Sequence, residues 1–167
     1  MRNIGKLTLT TPTDREIVMT RVFDAPRDLV YLAMTRPDLM KRWFYGPPGW
    51  SLSVCEMDLR EGGAYRWVWR HEKGHDMGVG GIYREVVPGV RLVATERFDE
   101  AWYPGEALVT TALAESGGRT TLNLTVRYES REARDVALKT PMEEGVALCY
   151  DRLEEIVASM GTSGSRT

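Results

Sequence analysis

From residue 51 to residue 129 the chain is cut at hairpin-length intervals by turn signals: Glu61-Gly62-Gly63, Lys73-Gly74, Pro88-Gly89, Tyr103-Pro104-Gly105 and Ser116-Gly117-Gly118. Glycine and proline supply the backbone angles that reversals need, so regular punctuation of this kind predicts a meander. The pieces between the turns predict strands at about 51–58, 64–71, 78–87, 90–99, 106–115 and 119–129. Their residues alternate as half-buried strands do. Tyr65, Trp67, Trp69 and His71 alternate with Arg66, Val68 and Arg70, and Leu122, Leu124, Val126 and Tyr128 alternate with Thr121, Asn123, Thr125 and Arg127.

Such a sheet has an apolar face that must be covered. The cover is read from the C-terminal part, where Met142, Val146, Cys149, Tyr150, Leu153, Val157 and Met160 recur at three- and four-residue steps, the mark of an amphipathic helix. Ahead of the meander, Glu16–Asp24 reads as a strand, followed by a helix over Arg27–Thr35 and a second short one over Asp38–Trp43. Ser130–Lys139 is a short charged helix. Residues 1–14 form an extension with room for an edge strand at Lys6–Thr10. The main domain is placed at 15–160, and Gly161–Thr167 reads as a disordered tail. The architecture expected is therefore α+β: a curved antiparallel sheet of about seven strands around one long C-terminal helix. A straight helix touches a curved sheet along part of its length only, so a gap between them is a candidate cavity.

Composition excludes more than it names. The 167 residues suit one domain. A formal charge of −2 argues against a nucleic-acid partner. Cys55 and Cys149, the two cysteines, fall in apolar surroundings and read as reduced core residues rather than a disulfide framework. No apolar targeting segment or membrane-length run is visible, and the default expectation is a cytoplasmic protein. Oligomeric state is left open between monomer and homodimer.

Several short motifs occur in order: Phe23-Asp-Ala-Pro26, Val30, Thr35-x-Pro37, Trp43-Phe-Tyr-Gly-Pro47, Asp58-Leu-Arg60-x-Gly62-Gly63, Gly81-x-Tyr83 and Met142-Glu-Glu-Gly145 with Asp151-Arg-Leu153. The series, spanning residues 7–160, resembles bacterial single-domain proteins of the START-like SRPBCC superfamily. The branch is the one named after the C-terminal domain of the heat-shock-protein-90 ATPase activator. The resemblance implies a helix-grip fold with an internal hydrophobic pocket. It implies no particular reaction, since related branches include lipid carriers, polyketide cyclases and drug-sequestering proteins.

Four constellations invite chemistry. His71-Glu72-Lys73-Gly74-His75 is a literal H-E-x-x-H, but zinc binding by that motif needs a helix, and here it follows a strand and contains a turn signal. No metal or cofactor is expected. Gly78-x-Gly80-Gly81 lacks the order and the following helix of a phosphate loop, and reads as a place where a strand bends. The aromatic set is more informative. Tyr65, Trp67, Trp69 and His71 share the inward face. Trp43 and Tyr45 lie where the fold would end the cavity, and Trp102 occupies a turn. With Tyr83, Phe98, Val146 and Tyr150 they form either a filled core or a ligand-binding wall. Finally, Leu92, Ala94, Glu96 and Phe98 share one parity, which turns Glu96 inward. A carboxylate there needs an Arg partner, a raised pKa, or a ligand. If it is unpaired, Glu96 and His71 are the candidate acid–base pair.

The function expected is binding of a small hydrophobic or aromatic ligand, in a carrier, sensor or sequestering role. The alternatives are a cofactor-free cyclase or hydrolase in the same cavity, and a stress protein that interacts with a chaperone.

Overall fold

The computed structural model describes residues 2–4 and 6–164. Its strands are β1 (Arg2–Ile4), β2 (Leu7–Thr10), β3 (Glu16–Phe23), β4 (Trp50–Met57), β5 (Ala64–His71), β6 (Asp76–Val87), β7 (Arg91–Phe98), β8 (Ala107–Ser116) and β9 (Arg119–Arg127). Helices α1 (Arg27–Thr35) and α2 (Pro37–Met40) lie between β3 and β4. Helices α3 (Arg131–Leu138) and α4 (Met142–Gly164) close the chain. All strands join one antiparallel sheet in the order β1-β2-β3-β9-β8-β7-β6-β5-β4. Strands β4 to β9 are the meander read from the turn signals, and β3 returns to pair with β9, Glu16 opposite Arg127 and Phe23 opposite Thr120.

Two expectations change. Among the described residues the sheet has nine strands rather than about seven: the edge strand read at Lys6–Thr10 is β2, and β1, which was not expected, pairs with it as a hairpin on β3. β1 is only three residues long, too short to show alternation. Helix α4 also continues through Gly161 to Gly164, where a disordered tail was expected; residues 165–167 lie outside the described residues.

The sheet bends at the glycines of β6. A β-carbon on Gly81 would overlap the Thr95 carbonyl of β7, so the strands approach there as only glycine allows. The register then slips between Tyr83 and Glu85, a bulge that adds twist and curvature. On the concave side α4 is clamped near its middle. Arg21 of β3, 1% exposed, donates to Asp151 at 2.6 Å and to Glu154 at 2.8 Å. Leu153, Ile156 and Val157 bury beside this clamp. The N-terminal half of α4 stands off from the sheet.

Candidate functional site

The gap under that half of α4 is a cavity of about 440 Å³. Strand alternation builds its floor. Leu92, Ala94, Glu96 and Phe98 of β7 all line it, as do Tyr65, Trp67 and Trp69 of β5. Met142, Gly145, Val146, Cys149 and Tyr150 of α4 form the roof, and the segment from Trp43 to Trp50 closes one end. Tyr83, Trp102 and Tyr128 complete the aromatic wall.

Backbone partners fix much of this wall. Trp43 Nε1 donates to the Ala33 carbonyl at 2.9 Å, and Trp69 Nε1 to the Phe44 carbonyl at 2.8 Å. Phe44 meets Trp67 and Trp69 edge-on, with centroids 4.9 and 5.2 Å apart, an arrangement that the ring quadrupoles favour. Trp67 Nε1 is buried with no partner.

Glu96 is the only carboxylate on the wall, and the wall carries no Lys, Arg or His among the described residues. Its Oε2 accepts from Tyr103 Oη at 2.9 Å. That hydroxyl takes the place of the Arg partner considered from the sequence. Burial pushes the Glu96 carboxyl up to about 7, and the Tyr103 hydrogen bond only partly opposes the shift. Burial likewise raises Tyr65, Tyr103 and Tyr128, and the Glu96 charge adds to each. The Tyr65 hydroxyl is committed elsewhere, donating to the Thr95 carbonyl at 2.6 Å.

Two expected wall residues are elsewhere. His71 shares the parity of Trp69, but it ends β5 beyond the cavity. It packs on Trp50 at 4.9 Å and stacks in parallel on His75 at 4.8 Å. Glu96 and His71 are therefore not brought together, and the acid–base pair is not assembled. Tyr45 is also outside the wall. The Arg152 guanidinium lies 3.8 Å from its ring centroid, and its carbonyl accepts from Arg152 and from Cys149. A contact 107 residues apart in sequence holds it there. The His71–His75 segment is a hairpin turn, and no cluster of metal-ligand residues occurs among the described residues. Both cysteines are free and buried, and burial raises each thiol to about 11, so neither is an activated nucleophile.

Sequence reasoning passes over two parts of the wall. Phe44 lines it beside Trp43 and Trp50. Six methionines, Met19, Met34, Met40, Met57, Met77 and Met142, line it as well. The methionine count of eight is the one signal that points to them. Thioether side chains adapt their shape to what they touch.

A family model described as activator of Hsp90 ATPase homolog 1-like protein matches residues 24–158. The chain belongs to this family. Activator of Hsp90 ATPase homolog 1-like proteins are known for a ligand-binding cavity. A structure from Rhodobacter sphaeroides is 28% identical, covers 93% of this chain and 99% of its own, and has a TM-score of 0.88. One from Chromobacterium violaceum is 29% identical, with 87% and 98% covered and a TM-score of 0.70. CalU16 from Micromonospora echinospora, 23% identical over 96% of this chain and 88% of its own with a TM-score of 0.59, shares the fold. No curated protein matches the chain. No helix among the described residues is long and apolar enough to cross a membrane.

Proposed function

We propose that the protein binds a small, mainly apolar and aromatic molecule in the cavity between the sheet and α4, as a carrier, sensor or sequestering protein. The observation that carries this reading is a space of about 440 Å³ walled by tryptophan, tyrosine and methionine side chains around a single carboxylate. Ligand sites commonly have this size and this mixture of apolar wall and few polar groups. A two-ring ligand burying about 300 Å² gains about 7 kcal/mol at ~25 cal/mol per Å² before association costs. The cyclase or hydrolase alternative needs Glu96 and His71 to act together, and His71 lies outside the cavity.

The test is a titration with the neutral probe N-phenyl-1-naphthylamine, followed by probe emission and tryptophan quenching, with thermal unfolding in parallel. Saturable 1:1 binding and a raised Tm are expected. Val146→Trp, which fills the space under α4, should remove binding while leaving the circular dichroism spectrum native. Absence of saturable binding to the wild-type protein would overturn the reading. A chaperone-interaction role would instead give an association that Val146→Trp leaves intact.

A further inference from the structure

Several carboxylates outside the cavity are paired with arginine, and the one within it is not. Arg66 holds Asp99, Arg70 holds Asp76, Arg91 holds Glu85, and Arg21 holds Asp151 and Glu154. Glu96 has no such partner. Its one hydrogen bond, from Tyr103 Oη, satisfies Oε2 and leaves Oε1 without a donor among the described residues. The neighbouring hydroxyls cannot supply one without giving up a contact, because Tyr65 donates to Thr95 and Tyr128 is directed at Met142 Sδ, 3.9 Å away.

What surrounds this carboxylate is electron-rich. Phe98, Trp102, Tyr103 and Tyr128 form a continuous chain of edge-to-face contacts: Phe98 to Trp102 at 5.3 Å, Trp102 to Tyr103 at 4.8 Å and Tyr103 to Tyr128 at 4.9 Å. Aromatic faces attract cations, most strongly where water is excluded. The carboxylate and the aromatic rings beside it favour a cation, and no guanidinium, ammonium or imidazole on the wall opposes them.

We propose that the cavity selects cationic apolar ligands: molecules with an aromatic or alkyl body and one ammonium group, the ammonium docking on Glu96 and the body lying against the aromatic and methionine wall. This rests on the reading that the cavity binds a small molecule. A neutral hydroxyl can also meet Oε1, but it gains little from the ring faces. A carboxylate ligand, a fatty acid included, meets like charge with no cation to compensate. The ammonium carries its own desolvation cost. Bonds to Oε1 and contact with the rings offset it, while pairing removes the cost of the solitary half-buried carboxylate. Because the group titrates near 7, contact with a cation draws it to the charged form.

Three probes with one hydrocarbon body test this: naphthylethylamine, naphthylethanol and naphthylpropanoate, measured by calorimetry and tryptophan quenching at about pH 8, where a group of pKa near 7 is mostly ionised. With the wild-type protein the amine should bind at least tenfold more tightly than the alcohol, and the propanoate most weakly. In Glu96→Gln the ratio of amine to alcohol affinity should fall to near one. Alcohol and amine binding equally to the wild-type protein would overturn the proposal while the cavity-binding reading stands. Binding of none of the three would overturn both. A preference for amine that survives in a folded Glu96→Gln protein would place the cation elsewhere and also refute the assignment.

Discussion

Replacing Glu96 by glutamine should change how stability depends on pH, and the size of the change follows from the environment of this one group. The carboxyl moves from its ordinary 4.5 in the unfolded chain to about 7 in the folded protein, because burial disfavours its charge more than the Tyr103 hydrogen bond restores it. A raised carboxyl binds its proton more tightly when folded. The native state thus holds more protons than the unfolded state between pH 4.5 and 7, and stability falls as pH rises through that window. At about 1.4 kcal/mol per pH unit the fall amounts to roughly 3 kcal/mol. The tyrosines facing Glu96, namely Tyr65, Tyr103 and Tyr128, are all raised further above neutrality and stay protonated throughout. Asp76 and Asp99 are held below their ordinary values by Arg70 and Arg66, so they titrate at lower pH. Glutamine can still accept from Tyr103 but has no proton to lose. Urea unfolding of both proteins in half-unit pH steps from 4 to 8 measures the difference. Wild type should lose roughly 3 kcal/mol relative to Glu96→Gln across the window, or about 10 °C in Tm for a domain of this size. Parallel stability curves would mean that the carboxyl is not raised, and the account of its burial would be refuted.

Arg21→Ala should cost about 3 kcal/mol in urea unfolding because it removes a buried guanidinium and the packing of its stem. Asp151→Ala should cost under about 1 kcal/mol, since Asp151 is 64% exposed. Gly81→Ala should destabilise by at least 2 kcal/mol, because the new methyl group overlaps the Thr95 carbonyl. Gly145→Ala on α4, where a β-carbon meets nothing within 4 Å, should stabilise by about 0.5–1 kcal/mol. Cys55 and Cys149 should react with a disulfide reagent at pH 8 far more slowly than in the unfolded chain, as their thiols are held up to about 11; equal rates would refute their burial.

The backbone architecture is legible in the sequence because its signals are local. Turn glycines and period-two alternation set the bounds of β5, and proline with helical spacing sets those of α1, residue for residue. The inward direction of Glu96 is legible for the same reason, being a consequence of strand parity. What fails to show is set by distance. Parity sends His71 to the inner face, yet it cannot say that the cavity stops one residue pair earlier along the strand. Tyr45 looks like a wall residue until Arg152, far along the chain, takes its ring and carbonyl. The Tyr103 partner of Glu96 sits in a turn, where no periodicity assigns a direction. Methionines spaced along helices and strands read as ordinary core, and only the three-dimensional arrangement gathers six of them around one space.

Why the cavity does not simply close follows from where the wall is fastened. Collapse of α4 onto the sheet would need its N-terminal half to move inward. That half is tied to the segment after α2 through Arg152 on Tyr45 and Gly46, while Trp43 and Trp69 are tied to backbone carbonyls. Each of these tryptophan bonds joins a wall side chain to a different stretch of backbone, so inward movement would strand buried donors, at about 1–3 kcal/mol apiece. Beside Arg152 on the helix, Asp151 and Glu154 hold α4 against β3 through Arg21.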